Sequence, residues 1–392
     1  MKKAGDPGGY YSPDTCDVDA FKALVEQTVD IRDVPHATEV VRNVPVYDMQ
    51  IRACDLKAPD TRRTLMAEWA QILKAGAGVF VLRNAYADTS AIDAATALFD
   101  QIITHEKAAS GAGADHFAAA GNNDRIWNTL QKLCEASPEV YLRYHGNAAI
   151  DAACEAWLGP NYQMTAQVNV VRPGGQAQQA HRDYHLGFQS AEVSASYPSH
   201  VHDLSPLLTL QGGIAHVDTP LESGPTKLLP FSQTYRPGYV AWRREDFRSI
   251  FDENHVQIPL KKGDALFFNP ALFHAAGANV STGIHRMVNL LQVSSPFGRA
   301  METIDRCRMS QRIFNPLKRL LRDGILGDCE IRAAIAATAE GYSFPTNLDT
   351  DPPTGGLAPR TQAAFLTKAV TEHWTTQDFD KALFAQEMRK QA

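Results

Sequence analysis

The chain has 392 residues, 44% of them hydrophobic, enough to bury a large core within one elaborated β domain. Its net charge of −6 and pI near 6.1, with no basic run, exclude a nucleic-acid binder. There is no run of about 18 apolar residues, no apolar leader after Lys2-Lys3, and no CysXXCys among the six cysteines, so the expectation is a soluble, cytoplasmic protein with reduced thiols, no membrane span and no zinc site.

Residues 1–60 read as an irregular N-terminal arm with one short helix over 18–28. Helical spacing over 65–74 is stopped by Gly76, a strand follows at 79–82, and a second helix runs over 90–105 behind a cap at Asp88, Thr89 or Ser90. Residues 108–123, rich in Ala, Gly and Asn, read as a loop, and 126–136 and 138–158 as helices. Residues 162–172 alternate as a strand that puts Gln167 and Asn169 on one face. Residues 190–205 form a polar loop carrying His200 and His202, read as exposed, and 207–215 is strand-like. His216 reads as a structural polar residue. Gly263-Asp264 turns into a buried strand that Asn269-Pro270 breaks just before His274, and 286–293 is a further strand opened by Arg286. Beyond 296 the chain turns helical: a basic amphipathic stretch over 301–322, an Ala-rich helix over 331–341, a Pro/Gly/Asp linker over 345–359 and helix again over 360–391. This gives an arm (1–60), a core (61–300) and a C-terminal helical extension packed on the core (301–392), whose surface leaves a homodimer contact open.

The chemistry centres on His181-Arg182-Asp183-Tyr184-His185. On a strand, His181 and Asp183 share one face, so an imidazole and a carboxylate can grip one ion. A 2-His-1-carboxylate site on ferrous iron needs one more His. His274 at its strand mouth is the candidate, although 93 residues separate it from His181 and only a sheet folding back on itself can join them. His185 would share the face of Asp183 if the strand continued. Arg286, twelve residues past His274, suits capture of a carboxylate.

The ordered set of HisXAsp, distal His and following Arg resembles the iron(II) and 2-oxoglutarate dioxygenases of the phytanoyl-CoA dioxygenase family. Residues 218–234, with Ser223-Gly224-Pro225 and Pro230-Phe231-Ser232-Gln233, look like the family's Asn-Gly-Pro…Pro-Gly-Ser-His segment, with Ser223 for Asn and Phe231 for Gly. Gly78-Val79-Phe80-Val81-Leu82-Arg83-Asn84 looks like its early strand. The resemblance covers residues 64–300. It implies a mainly β core with α additions, a cupin-like double-stranded β-helix (jelly roll) flanked by helices. It also implies iron(II) on His181, Asp183 and His274, and 2-oxoglutarate chelating that iron with its far carboxylate on Arg286. Gln167 and Asn169 are candidates for further bonds to the cosubstrate. O2 is the second cosubstrate, and a small organic substrate is hydroxylated with release of succinate and CO2.

Two departures stand out. The family's Arg position falls on His285 unless the loop before it is one residue longer, which favours Arg286, and the hydroxyl residue two after the distal His is Ala276. A carboxylate at 183, where halogenating relatives carry a small residue, favours hydroxylation over halogenation. The alternative is a cupin-like metalloprotein using the same triad for non-oxidative chemistry or binding, with Arg286 as the discriminator. The loops 108–123 and 190–205 are the expected specificity elements.

Overall fold

The computed structural model describes residues 9–110 and 123–391. Its strands are β1 (Glu39–Val41), β2 (Val44–Asp48), β3 (Val79–Arg83), β4 (Asn123–Ile126), β5 (Gln163–Val171), β6 (Thr209–Ala215), β7 (Lys227–Leu228), β8 (Val256–Gln257), β9 (Ala265–Phe268), β10 (His274–Ala275) and β11 (Arg286–Ser294). Eight of them form a mixed sheet in the order β1-β2-β3-β9-β6-β11-β5-β4, and β10-β7-β8 form a smaller one. Among the described residues only the β2–β3 pairing is parallel.

The period-2 alternation of the long strands divides the large sheet into two faces. Met287, Leu291 and Val293 of β11, Ala166 and Val168 of β5 and Phe267 of β9 enter a hydrophobic core shared with the helices. Trp69 of the helix Pro59–Ala75 stacks on Phe80, which stacks on Phe267, so this helix is pinned across β3 and β9. The helices Arg306–Arg322 and Asp328–Thr338 join the same core through Ile313, Phe314, Leu317 and Ile335. Residues of the other parity, Gln167, Asn169, Gly213, Leu266, Val288 and Leu290, line a cavity.

Several elements differ from the reading above. The arm contains a hairpin, β1–β2, turning at Arg42 and Asn43 with φ of +50° and +68°. Two consecutive left-handed residues mark the two-residue turn whose twist suits a hairpin. Ile126 closes β4, and the helix expected from there begins at Thr129, after Asn128 at φ +53°. The 138–158 stretch is two helices, Pro138–His145 and Ala148–Leu158, parted at Gly146, and Asn147 caps the second by accepting from the Ala149 and Ile150 amides. The last stretch is also two, Gln362–Thr371 and Thr376–Lys390, with His373 at φ +56° between them. Residues 190–205 are not an open loop: Ser190 caps the helix Ala191–Ala195, and Ser199–Leu204 follows. Among the described residues no helix is long and apolar enough to cross a membrane.

Candidate metal centre

His181 and His274 face each other as an antiparallel bridge, with the His181 N–H donating to the His274 carbonyl at 3.0 Å and the reverse bond at 3.2 Å. β10 pairs on its other side with β7, so the bridge extends the small sheet to the HisXAsp motif. Directly opposed residues project their side chains to one face, and the two imidazole centroids lie 4.5 Å apart. The Asp183 N–H donates to the Pro270 carbonyl, just upstream of His274. One donor atom from each of His181, Asp183 and His274 then lies within 4.8 Å of the others.

Hydrogen bonds on the far side of each ring fix what faces inward. Nδ1 of His181 lies 2.9 Å from the Gln179 carbonyl and Nδ1 of His274 lies 2.8 Å from that of Leu272. A carbonyl only accepts, so both Nδ1 atoms carry a proton and both Nε2 atoms are turned toward the centre. Nε2 of His274 is 3.3 Å from Oδ2 of Asp183, and Nε2 of His181 is 3.7 Å from Oδ1. Burial pushes the Asp183 carboxyl up, but His181, His274 and the Gln211 amide together outweigh it and hold it well below the usual carboxylate range. Burial, aided by His274, holds the His181 imidazolium below its ordinary range, which favours the neutral ring. Two imidazoles with Nε2 turned inward and an ionised carboxylate, with room beside them, are a donor set that fits ferrous iron.

The room is a cavity of about 600 Å³. Arg286 lines it and is buried, and Nη1 donates to the carbonyls of Ser223 at 2.9 Å and Gly277 at 3.2 Å. Burial pushes its guanidinium down to about 10, and among the described residues no carboxylate pairs with it. Gly224 sits at φ +71°, and a Cβ there would come within 2.2 Å of the Ala278 carbonyl oxygen, so only glycine lets this loop close over Arg286. His285, the rival at this position, is exposed and lines no part of the cavity. Gln167 and Asn169 both line it: Gln167 accepts from Arg125 at 3.2 Å, and Oδ1 of Asn169 is buried without a partner. Ala276 lines the cavity as well, with no hydroxyl to offer.

Three expectations need correction. The strand does not continue past Asp183: Tyr184 adopts φ +62°, ψ +153° and His185 φ +37°, so the His185 ring turns to Ser205 Oγ at 3.1 Å and leaves the cavity wall. His202 is buried, bonded through Nε2 to the Ser194 carbonyl and packed edge-on against Tyr11, while His200 is exposed as read. No residue of 190–205 lines the cavity, because its two short helices turn those side chains elsewhere. Of the other specificity loop, residues 111–122 lie outside the described residues. His216 is structural, held between Thr96 Oγ1 at 2.8 Å and Tyr144 Oη at 2.7 Å.

Sequence reasoning missed Gln211, Tyr184 and Gln292, all cavity-lining. Gln211 donates to Oδ2 of Asp183 at 2.5 Å, and the Tyr184 hydroxyl donates to Oε1 of Gln292 at 2.5 Å. The available signal was parity: Gln292 shares its strand face with Arg286.

Fold, donor set and buried guanidinium define a metal-dependent enzyme with room for an anionic cosubstrate. The phytanoyl-CoA dioxygenase (PhyH) family matches residues 75–288, more than half of the chain, and the chain belongs to that family. It is an enzyme of the iron(II)/2-oxoglutarate oxygenase type, with those two as its cofactors. Among solved structures, the chain is similar to the non-heme alpha ketoglutarate dependent epimerase SnoN from nogalamycin biosynthesis, at 20% identity over 61% of this chain and 85% of that one, with a TM-score of 0.43. EvdMO1 is similar at 16% identity over 60% and 50%, TM-score 0.44. The non-heme alpha ketoglutarate dependent carbocyclase SnoK from the same biosynthesis is similar at 17% over 62% and 88%, TM-score 0.41. No curated protein matches.

Proposed function

We propose that the protein is an iron(II)- and 2-oxoglutarate-dependent dioxygenase that hydroxylates an unactivated C–H bond of a small organic molecule. His181, Asp183 and His274 are the metal ligands in this reading. The observation that carries it is the convergence of two Nε2 atoms and one carboxylate on a cavity that also holds the buried, uncompensated charge of Arg286. A buried guanidinium without a counter-ion calls for an anion, and the far carboxylate of 2-oxoglutarate supplies one. The cavity draws its wall from both sheets, Leu228 and His274 from the small one and Gln167, Gly213, Leu266 and Val288 from the large one. A wall drawn from two sheets supports reading the core as a double-stranded β-helix, and in this reading residues 1–60 are an arm and 301–392 a helical extension.

Held at this centre, iron(II) with 2-oxoglutarate would supply the activation of O2, one oxygen atom going to the substrate as a hydroxyl and the other to succinate, with loss of CO2. The residues' part is to hold and to orient. The carbonyls of Gln179 and Leu272 keep both Nε2 atoms turned inward, and the Ser223 and Gly277 carbonyls aim the guanidinium. Gln167 and Asn169 supply polar groups on the same sheet face for the cosubstrate, and Asp183 occupies the position that a halide would need.

The test is anaerobic titration with iron(II) and then 2-oxoglutarate, watching the weak visible charge-transfer band of the chelate. The band is expected in wild type, weakened in Arg286→Ala at limiting 2-oxoglutarate and lost in His274→Ala. Iron binding without any band would overturn the cosubstrate assignment and leave a cupin-like metalloprotein of non-oxidative function.

A further inference from the structure

Two glutamines on the cavity floor hold two consecutive residues of the HisXAsp segment. Gln211 of β6 and Gln292 of β11 are directly opposed in the sheet register. Gln211 bonds to the side chain of Asp183, and Gln292 to that of Tyr184. Between these bonds the backbone enters a conformation, φ +62° and ψ +153° at Tyr184, that is almost confined to glycine. Such a conformation persists only where the surroundings over-determine it, and the paired amides are part of what does so here.

Gln211 has a second property. An ionised carboxylate offers no proton, so the amide group that meets Asp183 must be the NH2. This fixes the rotamer and leaves Oε1 as an acceptor that is buried and has no partner, on a residue only 3% exposed. Oδ2 of Asp183 thus meets both Nε2 of Gln211 and, at 3.3 Å, Nε2 of His274, while Oδ1, 3.7 Å from Nε2 of His181, accepts no hydrogen bond among the described residues and is the oxygen with both lone pairs to offer.

We propose that Gln211 is a positioning residue for the metal centre: its amide N–H holds the Asp183 carboxylate in a one-oxygen presentation, with Gln292 and Tyr184 fixing the backbone beneath it. This rests on the reading of His181, Asp183 and His274 as the metal ligands, so the test separates the two. Metal-free protein is titrated with Co(II), reading both the dissociation constant and the visible ligand-field spectrum, in wild type, Gln211→Met, Gln211→Asn and His274→Ala. Thermal midpoints are taken with chelator present. Methionine keeps the volume without the donor, and asparagine keeps the polarity but falls a methylene short. Loss of an orienting partner weakens metal binding by roughly tenfold to a hundredfold. Both Gln211 variants are expected to show that loss and an altered spectrum, with the metal-free midpoint little changed. Wild-type affinity and spectrum in either folded Gln211 variant would overturn the proposal, provided that His274→Ala loses Co(II). Wild-type binding in His274→Ala would instead overturn the metal site beneath it.

Discussion

Arg286 donates to two carbonyls, and carbonyls neutralise none of its charge. Its energy therefore depends on what enters the cavity. Hydrogen bonds to charged groups contribute roughly 1.5–3 kcal/mol, so Arg286→Gln is expected to weaken 2-oxoglutarate binding by about 10- to 150-fold, as 1.4 kcal/mol is tenfold, while iron(II) affinity holds. Separate titrations of the two ligands check this, and an equal loss of both would show that Arg286 supports the fold and not the cosubstrate. Arg182 illustrates the opposite case within the same motif. It too is buried and donates to two carbonyls, those of Ser232 and Tyr235, but its guanidinium lies 5.1 Å from the ring centroids of both Tyr239 and Phe273, whose π-faces attract the charge, and a Cβ at Gly238 would collide with it. Adjacent to two proposed ligands, it is a packing residue.

Elements became legible in proportion to their length and to the locality of their partners. β5 and β11 are nine residues each; β5 alternates polar with apolar through Val170, so the face of Gln167 and Asn169 could be read directly, while Arg286 was marked by its place after His274 at the start of an apolar run. The β1–β2 hairpin could not, because its first strand has three residues and its turn is Arg42-Asn43 in place of a glycine pair. That turn yields a prediction. Asn43 tolerates the left-handed region and its side chain accepts from the Val29 amide at 3.1 Å and donates to the Gln27 carbonyl at 3.3 Å. Asn43→Ala removes both bonds and strains the backbone, at a cost of about 1–3 kcal/mol, whereas Asn43→Gly keeps the turn and loses only the bonds. Urea unfolding midpoints would rank them wild type, Gly, Ala; an alanine variant as stable as wild type would sink the argument. His202 was misread because polar neighbours signal exposure, while its burial comes from Tyr11, nearly two hundred residues away. Gln211 lay hidden for the same reason, amid an apolar, glycine-containing run whose one polar partner belongs to another segment. Phe231 is a departure that the backbone records: it stands at φ +68°, the region its family's glycine would occupy without strain.

Across the whole molecule, the helical layer seals two histidines against the sheet. Burial holds His145 at about 3, with His216 contributing, and burial holds His216 at about 3. Both values lie below the ordinary 6.5, so the folded state binds fewer protons than the unfolded one as the pH falls. The stability these neutral rings permit is fully present above about pH 6.5 and is lost between there and about pH 3, by at most about 1.4 kcal/mol per pH unit per ring. Replacing His216 with Gln should flatten the pH dependence of the thermal midpoint over that window; parallel curves for the two proteins would refute it. The His181–His274 bridge has a kinetic consequence of its own. Tethering points 93 residues apart costs about 4 kcal/mol of loop-closure entropy, and the bridge returns only two backbone hydrogen bonds against it. The contact that completes the triad is thus among those the chain is slowest to find, and an ion that binds only once it is made would act as a latch on the finished fold, adding stability with each rise in its concentration.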